Sequence, residues 1–145
     1  MNIKDLSVIP SYFRDRQDSI RKLVVFPLDA FIDDYYYRIL FSCNNYDQEI
    51  QFKHEFDLDS KIRIFCSCPS FNFEFANILY KSDALLYKEK FYKAIQRTPR
   101  ERNTRSVLTG CKHCIACARF ILNNKGHIQQ LIDRKKLLKG VSDES

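Results

Sequence analysis

Ile62-Arg63-Ile64-Phe65-Cys66-Ser67-Cys68-Pro69 is the stretch on which the reading of this chain turns. Ile62, Ile64 and Cys66 alternate with Arg63 and Phe65, the period-two pattern of a strand with a buried face. Pro69 has no N–H for a strand ladder, so the strand ends there. At that end stand two thiols one residue apart, Cys66 and Cys68, which a turn can bring to one side of a metal ion. Cys111-Lys112-His113 opens a helix-like run 43 residues after Cys68. Cys-x-Cys followed by Cys-x-His supplies three sulfurs and one imidazole, a closed tetrahedral set suited to Zn²⁺. A catalytic zinc keeps one position open for water or substrate, so a closed set points to structure or recognition.

Upstream of this stretch the alternation continues. Tyr35, Tyr37, Ile39, Phe41 and Cys43 share one face, with Arg38 and Ser42 on the other. Asn44-Asn45-Tyr46-Asp47 is turn chemistry. Ile50, Phe52, His54 and Phe56 then alternate against Gln51, Lys53 and Glu55, and Asp57 to Ser60 makes a second turn. An antiparallel meander therefore feeds straight into Cys66. Residues 1–30 have room for a short helix and a strand between the breakers Pro10 and Pro27. They are either an arm that packs on a neighbouring subunit or the first layer of the core.

Downstream, Phe71, Phe73 and Phe75 extend the strand or open a helix through Lys81. Leu85, Leu86, Phe91, Tyr92 and Ile95 give residues 84–96 a helical pattern. Residues 98–109 read as a basic loop, and Gly110 permits a tight turn. Residues 112–122 read as a helix that Asn123-Asn124-Lys125-Gly126 stops, and Ile128, Leu131, Ile132, Lys135 and Leu138 mark a final amphipathic helix. The expected fold class is α+β: a small antiparallel β-meander packed on two or three helices, with the zinc site joining sheet and helix.

Composition sets the outer bounds. A chain of 145 residues fits one domain, and its 12 Phe and 8 Tyr supply the core. With three Gly, it has no glycine-rich phosphate loop. No apolar run approaches the length of a membrane span, and no signal-peptide pattern is visible, so a soluble chain made in a cytosol is expected. Six Cys in that setting read as metal ligands or free thiols rather than a disulfide frame. Charge is uneven: residues 1–80 carry a net −3 and residues 81–145 a net +9. Such asymmetry suits nucleic acid, an acidic protein surface, or simply a solvated face.

The ligand set has rivals. Cys111-x-x-Cys114 is also a zinc half-site, so Cys66, Cys68, Cys111 and Cys114 could form a Cys₄ ribbon. Cys114, Cys117 and Ile121 recur at helical spacing, which makes buried thiols of Cys114 and Cys117, and Cys43 reads as a core-facing strand thiol. All six could be small core hydrophobes. His54 reads as a packed core histidine and His127 as a surface or cap residue.

The Cys66, Cys68, Cys111 and His113 pattern resembles the SWIM zinc finger, whose order is Cys-x-Cys, a spacer, then Cys-x-His. Ile62-Arg63-Ile64-Phe65 before Cys-Ser-Cys-Pro, and Ile115-Ala116 after Cys-Lys-His, match its strand, knuckle and helix order. The resemblance spans residues 35–124. The spacer is longer than in the SWIM domains of transposases and chromatin proteins. This long-spacer form, with Phe71-Asn72-Phe73-Glu74-Phe75 behind the knuckle, is similar to small SWIM-type proteins of tailed bacteriophages. That resemblance implies one structural Zn²⁺ and a virion component near the head–tail junction, made in the host cytoplasm. It implies protein subunits of a larger assembly as partners. Residues 1–30 are then an N-terminal arm, 31–140 a SWIM-like domain with 82–110 as a basic insertion, and 141–145 a tail.

No catalytic constellation accompanies these cysteines. A Cys/His nucleophile pair needs an orienting third group and an oxyanion hole, and no motif supplies them. The expected function is non-enzymatic, with neither a small-molecule substrate nor a membrane. Nucleic acid is the alternative partner: Lys93, Arg97, Arg100, Arg102, Arg105 and Lys112 form a basic stripe near Tyr87, Phe91 and Tyr92, able to hold phosphates and stack bases. The same residues would serve a protein partner's carboxylates.

Overall fold

Alternation in residues 36–66 builds three strands of a four-stranded antiparallel sheet in the order β1-β2-β3-β4. The computed structural model describes all residues except 54, 97–106 and 144–145. The strands are β1 (Val25–Ile32), β2 (Tyr36–Cys43), β3 (Tyr46–Lys53) and β4 (Ile62–Cys66). Tyr37, Ile39, Phe41 and Cys43 of β2 are buried on one face, while Tyr35 lies outside the strand and is exposed. Asn44 and Asn45, both at positive φ, make the two-residue turn that pairs Cys43 with Tyr46. β3 ends at Lys53, so Phe56 leaves the ladder and packs its ring edge-on to Phe52. His54 lies outside the described residues.

Within residues 1–30, Ile3, Leu6, Phe13, Ile20 and Ala30 are buried in the core. Helix α1 (Ile3–Ser7) begins with a reciprocal cap between Asn2 and Asp5, and Ile3 and Leu6 are fully buried. The Ile62 N–H donates to the Met1 carbonyl, which ties the N-terminus to β4. After α2 (Gln17–Arg21), the chain enters β1, an outer strand of the sheet. Pro27 lies inside β1 without ending it, because an edge strand can spare a donor. A register shift between Pro27 and Asp29 bends the strand.

Residues 84–96, expected as a helix, are not an α-helix. Ala84 to Leu86 run beside β4: the Ile64 N–H donates to the Ala84 carbonyl and the Leu86 N–H to the Ile64 carbonyl, each at 2.9 Å. Tyr87 then takes a left-handed conformation, φ 55°, which an α-helix cannot pass through, and two short 3₁₀ turns follow at Lys88–Phe91 and Ala94–Gln96. The gain is burial. Leu85, Leu86 and Phe91 go inside, and Phe65 packs against the rings of Tyr87 and Phe91. The helical spacing of these apolar residues therefore served an extended cover over the sheet edge.

Behind the knuckle, the helical alternative for Phe71–Phe75 is the one adopted. Helical structure starts at Pro69, passes through a π-turn at Phe71–Phe75 and ends as α3 (Ala76–Lys81). Glu74 in that turn is buried and pairs with the Arg16 guanidinium at 3.1 Å, which also lies 4.3 Å from the centre of the Phe13 ring.

Helix α4 (Lys112–Asn123) packs on the buried face of the sheet and on α1. Asn124 ends it, its side chain donating to the Phe120 carbonyl and its N–H to that of Ile121. Gly126 is no stop signal, because it falls in the first turn of α5 (Lys125–Asp143), which packs on β1. Four strands and several helices make an α+β fold, as expected.

Candidate metal centre

Two helix starts and one strand end converge at the cysteines. β4 delivers Cys66, and Ser67 pins the knuckle to β3 by donating its N–H to the Asp47 carbonyl while its hydroxyl accepts the Asp47 N–H. Cys68 then caps the following helix. Its sulfur accepts the Phe71 N–H at 3.4 Å, the place a serine or aspartate oxygen takes at a helix start, and Pro69 fills the first helical position where no donor is needed. Cys111 is the residue before α4, in extended conformation, and makes no side-chain cap. His113 lies in the first turn of α4. Both helix starts direct partial positive charge at thiols.

The donor atoms of Cys66, Cys68, Cys111 and His113 all lie within 4.8 Å of one another. Cys66 Sγ and Cys111 Sγ each stand 3.8 Å from His113 Nδ1. Zn–S and Zn–N bonds at a tetrahedral angle separate sulfur and nitrogen by about 3.6 Å, so the spacing fits a four-coordinate ion. All four residues are 3% exposed or less. This buried Cys₃His cluster could hold a metal ion, and it joins sheet to helix.

Proton placement follows from the packing. Hydrogen bonds from Cys111, then Cys114 and Cys68, hold the Cys66 thiol far below the usual thiol range despite its burial. Hydrogen bonding with Cys111 pulls Cys68 down, but hydrogen bonding with Cys66 together with burial prevails and sets it at about 11. Burial pushes Cys111 and Cys114 well above the ordinary value.

Cys114 stands beside the cluster, its sulfur 3.7 Å from that of Cys111, with its thiol directed at the Phe65 carbonyl 3.9 Å away. Cys43 and Cys117 are buried thiols as expected, and all six cysteines are free. His127 is exposed beside Phe120. His113 Nε2 is buried without a hydrogen-bond partner, and its ring lies 5.2 Å from that of Tyr46.

Gly110 serves by its size. It does not have a positive φ, so it is no special turn residue. A Cβ there would lie 2.8 Å from Cys114 Cβ, 3.0 Å from Ile64 Cδ1 and 3.1 Å from Leu6 Cδ1. The missing side chain lets α1, β4 and α4 close on one another directly before Cys111.

Of the basic residues, Lys93 is exposed and Lys112 half-buried, whereas Arg97, Arg100, Arg102 and Arg105 lie outside the described residues. No helix among the described residues is long and apolar enough to cross a membrane. The sequence reading missed Gln48, which is buried against Cys66; its parity with Ile50 and Phe52 was the available signal. Comparison with protein-family models, curated proteins and solved structures gave no match.

Proposed function

We propose that this chain is a non-enzymatic adaptor of a multi-subunit assembly, held together by one structural Zn²⁺ on Cys66, Cys68, Cys111 and His113. The observation that carries this reading is the closure of the donor set: four donor atoms within 4.8 Å, on four buried residues. Such a set offers no position to water or substrate. Bound zinc would supply a cross-link between β4 and α4, worth about 10–16 kcal/mol of apparent binding energy in small structural sites. Borderline-soft Zn²⁺ is the choice because three thiolates and an imidazole suit it better than the hard cations.

The SWIM-like order of the ligands supports a tailed-phage virion protein near the head–tail junction, with other virion subunits as partners. Exposed Phe26, Leu28 and Phe31 on β1, together with Leu137 and Leu138 on α5, offer apolar surface for such contacts. The test has two parts. Protein made without added metal should carry about one zinc per chain and lose its fold on chelation; metal-free, folded protein would refute the zinc role. Reversing the charge of Arg100, Arg102 and Arg105 should abolish assembly with the partner while leaving the metal content unchanged.

A nucleic-acid role is the second reading. It is favoured by exposed Tyr92 beside exposed Lys93, an aromatic and a cation in reach of one strand. Binding of a labelled single strand that weakens steeply with salt would establish it.

A further inference from the structure

Gln48 breaks the pattern of its strand. It shares a face with Ile50 and Phe52, is fully buried, and is directly paired across the sheet with Cys66. An apolar side chain would satisfy the core there at lower desolvation cost, since a buried amide must find partners for every polar atom. A polar residue stands where the alternation of the strand calls for an apolar one, and such departures mark sites with another task.

We propose that Gln48 is a positioning residue of the metal site, its amide holding Cys66 Sγ in place and drawing charge from it. The inference rests on the zinc reading above. The Gln48 Nε2 group donates to the Tyr46 carbonyl at 2.9 Å, and lies 3.5 Å from both the Cys43 carbonyl and Cys66 Sγ. Its Oε1 faces the Cys117 thiol at 3.8 Å. These partners leave the amide one orientation. Turned over, its oxygen would meet the Tyr46 and Cys43 carbonyls, both acceptors. The cross-strand register then sets the distance to Cys66, so the sulfur is held by a rigid sheet rather than by a loop. An N–H···S hydrogen bond withdraws electron density from the thiolate, and outer partners of this kind govern metal affinity as well as orientation.

Co²⁺ is the probe, because thiolate-to-cobalt charge-transfer absorption reports directly on the sulfur. Gln48→Met keeps the length of the side chain and removes the donor. The variant should still bind one Co²⁺ per chain. Its charge-transfer band should move to lower energy, and its Co²⁺ affinity should fall about 10–100-fold. Gln48→Glu keeps the planar head and turns a carboxylate toward the thiolate, so it should move both quantities in the same direction and carries the test if the methionine variant does not fold. A variant with a lower Tm but an unmoved band and unchanged affinity would make Gln48 a purely structural residue and overturn the proposal. Failure of the parent chain itself to bind Co²⁺ would overturn the zinc reading together with this one. A parent that binds beside variants that match it would overturn this one alone.

Discussion

Cys66 Sγ and His113 Nδ1 lie 3.8 Å apart although 47 residues separate them in the chain. One belongs to the last strand of the sheet and the other to the first turn of α4, so a bond from each to a common ion would staple the two layers. His113→Ala should lower metal affinity by at least about 100-fold, as loss of a ligand exceeds loss of an outer partner. Cys114→Ala should keep one metal per chain and lose about 1 kcal/mol of packing. Metal analysis with thermal unfolding of both variants decides the matter. A metal-free Cys114→Ala beside a metal-bearing His113→Ala would make the set Cys₄.

Metal affinity should rise with pH. In the metal-free cluster Cys68 sits at about 11 and Cys111 well above its ordinary value, both protonated at neutrality. Binding must expel those two protons, so affinity should change up to about 100-fold per pH unit, weakening toward acid. Competition with a chelator at several pH values gives the slope. A flat profile would mean that the thiols are already ionised.

The zinc-bound fold should weaken in alkali. Burial raises Cys43 from 9.0 to about 11. Burial and the hydrogen bond to Glu49 raise Tyr87 from 10.0 to about 12. A group raised on folding stabilises fully below its unfolded value, and that contribution disappears as pH climbs to the folded one. Stability should therefore hold to about pH 9 and decline through about pH 12. In Cys43→Ala the decline should still begin near pH 9, because Cys114 and Cys117 are also buried thiols raised on folding, but it should be shallower, measured by urea unfolding of the zinc-loaded protein.

Gly110→Ala should destabilise the protein by about 1–3 kcal/mol, because the added methyl meets backbone-anchored Cys114 Cβ at 2.8 Å. The displaced neighbours lie next to Cys111, so metal affinity should fall with stability. Equal unfolding midpoints for variant and parent would show that α4 can shift without cost.

Glu74→Ala should cost about 3–5 kcal/mol, since it leaves the Arg16 charge in a largely buried site. Removing both partners with Arg16→Met and Glu74→Leu should recover most of the loss. A double-mutant cycle in urea measures the coupling. Additive losses would make the two residues independent.

Helical spacing in residues 84–96 was legible and misleading. Leu85, Leu86 and Phe91 do need burial, but the unpaired edge of β4 could be satisfied by extended backbone, and Tyr87 could reach Glu49 from that route. Gly110 was read as a turn residue because a sequence displays conformational freedom and conceals crowding. Gln48 was passed over because its partner Cys66 is visible only across the register of two strands.

By itself, the sequence determined the meander and the residues of the candidate ligand set. Each strand carries its own alternation, the Asn44-Asn45 turn dictates its own hairpin, and Cys-x-Cys and Cys-x-His are local statements of chemistry. The tertiary structure alone decided that the two halves of the set meet, that Ile3, Leu6, Phe13, Ile20 and Ala30 are buried in the core, and that Cys68 and Cys111 stand at the starts of two helices facing one point. Those are long-range outcomes, set by the packing of α1, β4 and α4 around a glycine that no local pattern distinguishes from a turn.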